Sequence, residues 1–269
     1  MAKFLPPFSF MLKAYFKDSS KFSIPLSWWE DKSLINYKYG LVTPPHFIDI
    51  QNLREEFKLP KDFFLLGDSG GFQLLSARSR GKHVNFTRND VLRWQEKNCN
   101  VGIILDHPPV KIFGASHGSV KPVDKRMFDK CALETRDNAV WAYENRERKT
   151  LLLYNVIQGG SLDNVKRWYN TVTNNETFHL DGIAIAPKPP GDPFNSAIML
   201  SFLLEHGITK NVHVLGVSGF SIVPVIVYMS KFIKNLTYDS ASYAQGNITS
   251  SMWLPSSYTR LYISKTKTP

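Results

Sequence analysis

Short apolar runs alternate with longer amphipathic segments along this chain, and the two periodicities predict strands and helices in turn. The runs are Phe4-Leu5 with Phe8-Ser9-Phe10, Ile35 to Val42, Phe63 to Leu66, Val101 to Leu105, Leu151 to Ile157, Gly182 to Ile185, Val212 to Leu215 and Leu236 to Tyr238, the last being the weakest. Helical patterns lie between them. Thr87 with Asp90 forms a capping-box signal ahead of Val91, Leu92 and Trp94. Asp124 to Arg148 is a long candidate whose apolar points are Met127, Phe128, Cys131, Ala132 and Trp141. Ser161 is placed to cap Leu162 to Val172, where Val165, Trp168, Tyr169 and Val172 share one face. Pro193 to His206 follows, closed by Gly207, and Gly219 to Phe232 is the last.

About eight strands alternating with helices predict an α/β protein, a (β/α)8 barrel in one domain spanning 1–269. A doubly wound sheet is the competing architecture. Polar residues favour the barrel, because Asp68, Asp106, Gln158, Gly216 and Asp239 each follow an apolar run directly. They would then sit at the C-terminal ends of strands, the face on which barrel enzymes build their sites. In an open sheet only residues near the switch point converge. No Gly-x-Gly-x-x-Gly or Walker sequence occurs, which also weakens a nucleotide-binding sheet.

Composition narrows the partners. The 269 residues are 43% hydrophobic, enough for a core, so a disordered chain is not expected. Lys and Arg outnumber Asp and Glu by 33 to 23, a formal charge of +10. Such a surface fits a polyanion (DNA, RNA or an acidic membrane), with a merely well-solvated surface as the bland reading. Two cysteines, Cys99 and Cys131, form no CxxC or Cys/His cluster, so neither a structural zinc nor a disulfide framework is expected. The N-terminus lacks the apolar core of a signal peptide, and the longest apolar run, Ile222 to Met229, contains Pro224 and is too short for a bilayer. A cytoplasmic protein without membrane contact, metal or cofactor is the expectation.

The most telling stretch is Leu65-Leu66-Gly67-Asp68-Ser69-Gly70-Gly71-Phe72-Gln73. An apolar run stops abruptly at an acid, a serine and two glycines. A carboxylate at the end of a buried strand is costly unless something pairs or uses it. Taken alone, Asp68 is as easily a turn cap as a functional group. Further on, Val156-Ile157-Gln158-Gly159-Gly160 and Tyr238-Asp239-Ser240 occur in order, with Asp106 between the first two motifs. This set resembles the guanine transglycosylase family over roughly Ile35 to Tyr243. Its members exchange guanine for a 7-deazaguanine in tRNA, and a sister branch in bacteria and their viruses does so in DNA.

The resemblance implies roles. Asp239 matches the nucleophile that forms a covalent sugar–enzyme intermediate, and Asp68 the acid that shuttles the proton of the departing and arriving bases. Asp106 matches the acceptor for guanine's N1–H and 2-amino group, and Gln158 a donor to O6. Ser69 would add a hydrogen bond at the pocket floor, Gly70 in the turn beside it counts with the substrate-binding residues, and Gly159, Gly160 and Gly182 would let backbone approach the flat base. Each has a bland counterpart: Asp106 as a turn initiator before His107-Pro108-Pro109, Gly159-Gly160 as a strand-to-helix turn, Asp239 as a cap.

Two basic clusters follow the acid loops and are candidates for gripping phosphates: Arg78, Arg80, Lys82 and His83, then Lys121, Lys125 and Arg126. Arg146, Arg148 and Lys149 precede a strand and are expected as a solvated run on the opposite face. Trp28-Trp29 reads as core or interface sooner than as a base-stacking platform. The tRNA-modifying pattern includes a cysteine-rich zinc subdomain after the nucleophile strand, yet 30 residues follow Asp239 here and none is Cys. The expectation is therefore a truncated chain or, preferred, the DNA-modifying branch without that subdomain. The alternatives kept open are a tRNA-acting enzyme, a catalytically silent nucleic-acid-binding partner on the same fold, and, more distantly, a barrel glycosidase.

Overall fold

In the computed structural model the described residues are 1–7, 28–30, 36–46, 48–82, 86–113, 119–173, 179–189, 192–217, 220–240, 251–254 and 259–262. In chain order the strands are β1 (Lys3–Leu5), β2 (Tyr39–Val42), β3 (Phe64–Gly67), β4 (Val101–Ile103), β5 (Val110–Phe113), β6 (Ser119–Pro122), β7 (Leu152–Gly159), β8 (Gly182–Pro187), β9 (Lys210–Val214), β10 (Lys234–Asp239), β11 (Ser251–Leu254) and β12 (Thr259–Tyr262). Eight of them form one sheet in the order β1-β10-β9-β8-β7-β4-β3-β2, and its neighbours run parallel. The edge strands β1 and β2 meet again through a parallel bridge between Pro7 and Leu41, where the Leu41 amide donates to the Pro6 carbonyl at 2.9 Å. The sheet thus nearly closes on itself into a barrel, as a (β/α)8 fold requires.

Each predicted apolar run contributes to one of these eight strands. Phe8-Ser9-Phe10 and Ile35 lie outside the described residues. The run expected to be weakest, around Leu236, is a full strand of 6 residues held between two parallel neighbours. Two antiparallel pairs, β5 with β6 and β11 with β12, were not anticipated. Their segments are short, and the first pair ends in Pro122, a residue that reads as a strand breaker.

Helices α1 (Leu53–Glu56), α2 (Gly71–Ser79), α3 (Arg88–Asn98), α4 (Lys125–Asn145), α5 (Leu162–Thr173), α6 (Pro193–Glu205) and α7 (Val223–Met229) flank the sheet. Their starts follow the side-chain caps. The Thr87 amide donates to Asp90 at 2.8 Å and the Asp90 amide to the Thr87 hydroxyl at 3.3 Å, a complete capping box. Asp124 accepts from the Met127 amide at 2.9 Å. The helix expected over Gly219 to Phe232 is shorter. Its described part opens with a 3-10 turn, Phe220–Ile222, and Pro224 sits in the first turn of α7, where no intrahelical N–H is needed.

The core forms two main apolar clusters. One gathers Trp28, Trp29, Phe63, Leu65 and Leu66 under β2 to β4, and the other gathers Trp168, Met199, Phe202 and Val214 under β7 to β10. Trp28 and Trp29 pack edge to face at 5.0 Å inside the first cluster, so they are core. Cys99 and Cys131 are buried and free. The Arg146 run lies at the opposite end as expected, but of its three basic residues only Lys149 is exposed. The Arg146 guanidinium bonds the Asp181 carboxylate and the Leu151 carbonyl, and Arg148 bonds the Cys99 carbonyl. Both tie down the N-terminal rim: Arg148 supplies a donor to the carbonyl that ends α3, and Arg146 joins the residues just before β7 and β8. No helix among the described residues is long and apolar enough to cross a membrane.

Candidate active site

The strand ends at the C-terminal mouth carry the polar groups. Asp68 follows β3 directly and Asp239 ends β10, while Gln158 is the penultimate residue of β7. Thr43 follows β2 and Lys188 follows β8. Asp106 stands three residues past β4. Its loop is pinned by α4, where Asn138 donates to the Leu105 carbonyl at 2.8 Å and Thr135 accepts from the His107 amide at 3.0 Å. Gln95 on α3 latches the ends of β3 and β4, its amide donating to the carbonyls of Gly67 at 3.0 Å and Ile103 at 2.9 Å.

The turn after Asp68 explains its two glycines. Gly70 has φ +78, the left-handed region that side chains avoid, and a Cβ there would stand 2.6 Å from Pro45. Gly71 starts α2, and a Cβ on it would collide with the carbonyl and carboxylate of Asp106. The pair therefore lets the Asp68 loop close onto the Asp106 loop.

Asp106 is almost wholly buried and is met by neutral donors. Ser69 Oγ donates to Oδ1 at 2.6 Å, Gln158 Nε2 donates to Oδ2, and the Gly71 amide donates to Ser69 Oγ at 3.0 Å. Burial raises the Asp106 pKa, and Ser69, Lys188, His107 and Gln158 each pull it back. Gln158 Oε1 is buried with no hydrogen-bond partner, an orphaned acceptor at this point. Asp68, partly exposed, accepts from the Ser69 amide at 2.8 Å and from Thr43 Oγ1 at 3.4 Å. Burial, then the charges of Asp106 and Asp239, push its carboxyl up to about 7. Asp239 accepts on Oδ1 from the Gly216 amide at 2.9 Å, and His213 Nε2 lies 3.3 Å from the same oxygen. Burial lowers the pKa of Lys188, opposed by the charge of Asp106.

The structure thus brings together Asp68, Ser69, Gly70, Asp106, Gln158 and Asp239. Gly159 ends β7 against Val165 of α5, and Gly160 lies against the Lys188 carbonyl, so both pack on protein next to the site. Gly182 does not join them. It opens β8 at the N-terminal end, paired with Tyr154, and its Cβ position is filled by the Asn211 carbonyl and the Tyr154 ring. Gly182 was expected to let backbone approach the base, but it stands at a strand start, and strand ends, not starts, face the mouth.

The six described basic residues of the two clusters are all exposed. Arg78 and Arg80 are exposed at the end of α2, and Lys82 is exposed just beyond. With a rise of about 1.5 Å per residue, the helix carries its far end about 13 Å from the Asp68 turn. The chain then returns, since Phe86 packs 3.5 Å from the Cβ position of Gly70. Lys121 is exposed on β6, and Lys125 and Arg126 are exposed in the first turn of α4. His83 lies outside the described residues. Among the described residues no group of three or more His, Cys, Asp or Glu side chains could hold a metal ion.

Sequence reasoning missed His213, Thr43, Lys188 and Gln95. A histidine inside the apolar run Val212 to Leu215 was a legible anomaly, and Lys188 obeys the same strand-end rule that marked the acids. Searches against protein-family models and against curated proteins return no match to this chain.

Proposed function

We propose that this protein is a base-exchange glycosyltransferase on a (β/α)8 barrel, removing guanine from DNA and installing a 7-deazaguanine in its place. The observation that carries the reading is the convergence of Asp68, Asp106 and Asp239 at the C-terminal strand ends of one barrel mouth, where burial and then the charges of the other two acids push the Asp68 carboxyl up. Three acids with separate surroundings suit three tasks.

In this reading a lone pair on Asp239 Oδ2 attacks C1′ of the target nucleotide. The C1′–N bond breaks, its electrons leave with guanine, and the departing base takes a proton from Asp68. The sugar is held as an ester of Asp239. An incoming 7-deazaguanine gives its N–H proton to Asp68, attacks C1′ and expels the Asp239 carboxylate. A carboxyl with a pKa of about 7 is present in both forms at neutral pH, as a group that gives and then takes one proton needs. Asp106 accepts from guanine's N1–H and 2-amino group with the lone pairs that Ser69 and Gln158 leave. The second amide hydrogen of Gln158 serves O6.

A base inside a duplex is out of reach of a barrel mouth, so the target guanine is flipped or already unpaired. Arg78, Arg80, Lys82, Lys121, Lys125 and Arg126 would hold the phosphates around it. DNA is kept as the proposed polymer, in line with the DNA-acting branch that the sequence resembles, and tRNA is the alternative that the parallel substrates below decide.

Release of labelled guanine on adding a 7-deazaguanine, measured in parallel on duplex DNA, single-stranded DNA and unmodified tRNA, tests the proposal. Turnover on a DNA substrate is expected. Turnover on tRNA alone would move the assignment to the tRNA-acting branch. Tight binding of nucleic acid with no release on any substrate would favour a catalytically silent partner.

A further inference from the structure

His213 is fully buried, yet it is a polar residue in the middle of an apolar strand. Its neighbours Val212 and Val214 belong to the apolar cluster outside the sheet, so His213 faces the opposite way, into the barrel. The parallel register pairs His213 with Thr237, and Asp239 is two residues further along β10, on the same face as Thr237. The ring therefore stands between the two. Nδ1 lies 2.8 Å from Thr237 Oγ1 and Nε2 lies 3.3 Å from Asp239 Oδ1. Burying an imidazole is tolerable only when both nitrogens are used, and here both are.

We infer that His213, braced by Thr237, is the positioning residue that aims the Asp239 carboxylate. The inference rests on the base-exchange reading above for the reaction it serves. An ionised carboxylate only accepts, so Nε2 carries the proton that it gives to Oδ1. Nδ1 then accepts a hydrogen bond from the Thr237 hydroxyl. If the ring is doubly protonated, Nδ1 donates instead and the hydroxyl turns to the Val212 carbonyl, 3.4 Å away. The same heavy-atom arrangement serves either state. Among the described residues both contacts to the Asp239 carboxylate, from His213 and from the Gly216 amide, fall on Oδ1. Two contacts on one oxygen fix the carboxylate plane and leave Oδ2 to attack.

The test compares His213→Leu with His213→Gln, whose amide N–H can still reach Oδ1. Exchange is measured per active site, with sites counted from the amplitude of the covalent sugar adduct. His213→Leu is expected to lower kcat about 100-fold with KM within about twofold, the effect of misplacing a reacting group by about 1 Å. His213→Gln is expected to recover kcat to within about tenfold of the native protein, since one oriented donor is restored. A merely structural histidine would lower the number of active sites and leave kcat per site unchanged, and that result overturns the inference. So does a Gln variant no better than Leu. If the native protein exchanges no base at all, the functional reading fails separately. The unfolding midpoints of His213→Leu, Asp239→Asn and the double variant then decide the contact: non-additive shifts sustain it and additive shifts overturn it.

Discussion

At the N-terminal end of the barrel the carboxylates of Asp181 and Glu96 meet arginines and backbone amides. Asp181 binds Arg146 and accepts from the Leu153 amide at 2.9 Å, and Glu96 binds Arg93 and accepts from the Glu147 and Arg148 amides at 2.6 and 2.9 Å. At the C-terminal end, Asp68, Asp106 and Asp239 meet hydroxyls, amides and one imidazole, and no arginine or lysine ion pair reaches them among the described residues. Each acid of the first group holds one arginine together with backbone amides, and so ties strands and helices in place. The second is stabilised only enough to be buried, and its charges still act on one another. A group left in that condition keeps its capacity to take a proton, a base edge or a sugar carbon.

The largest break in this contrast should come from Asp239→Asn. An amide is a poor nucleophile, so exchange should fall at least about 1,000-fold in kcat, with the adduct lost. Steady-state exchange and intact-protein mass measure both. Asp68→Asn should follow, lowering kcat by roughly 10²–10⁴, the range for a lost acid–base group. That variant also tests the upward shift of Asp68. A carboxyl raised to about 7 in the folded state binds more protons than the unfolded chain between about pH 4 and pH 7, so it makes stability fall as pH rises through that window. Asn cannot ionise. Its protein should therefore lose this pH dependence and gain roughly 1–3 kcal/mol over the native protein at pH 8, read from denaturant unfolding.

The opposite rim should respond in the opposite way. Asp181→Asn removes a partner from Arg146 and should lower stability by about 2–3 kcal/mol, with kcat per folded molecule unchanged. A loss of kcat without a loss of stability would erase the distinction between the two ends. The smallest expected effect belongs to Asp106→Asn. It puts a possible donor against guanine's N1–H and should weaken guanine binding by roughly 1–3 kcal/mol, measured by calorimetry or competition. Unchanged affinity would reduce Asp106 to a turn residue.

The sequence already carried much of the mouth, because a strand end announces itself. An apolar run that stops at Asp68, Gln158 or Asp239 marks both the strand and its active end, and eight such runs specify a barrel-like sheet. The hairpin of β5 and β6 was less legible, since its four-residue strands alternate too briefly to stand out from a loop. Gly182 shows where the rule fails. A glycine at the start of a run resembles one at its end in composition, and only strand direction separates them. His213 was legible as an oddity but not as a partner of Asp239, because that contact depends on the register of β9 against β10, which no local pattern reports. Arg146 and Arg148 looked like a solvated run for the same reason: Asp181 and Cys99 lie far away in sequence.

The central claim is that the C-terminal acids perform base exchange through Asp239. Its most direct test is the mass of the protein itself, quenched in denaturant after incubation with a guanine-containing DNA oligonucleotide. A covalent species heavier by the strand less one guanine is expected, mapping to the peptide that contains Asp239 and absent in Asp239→Asn. An adduct on any other residue, or guanine exchange undiminished in Asp239→Asn, would contradict it.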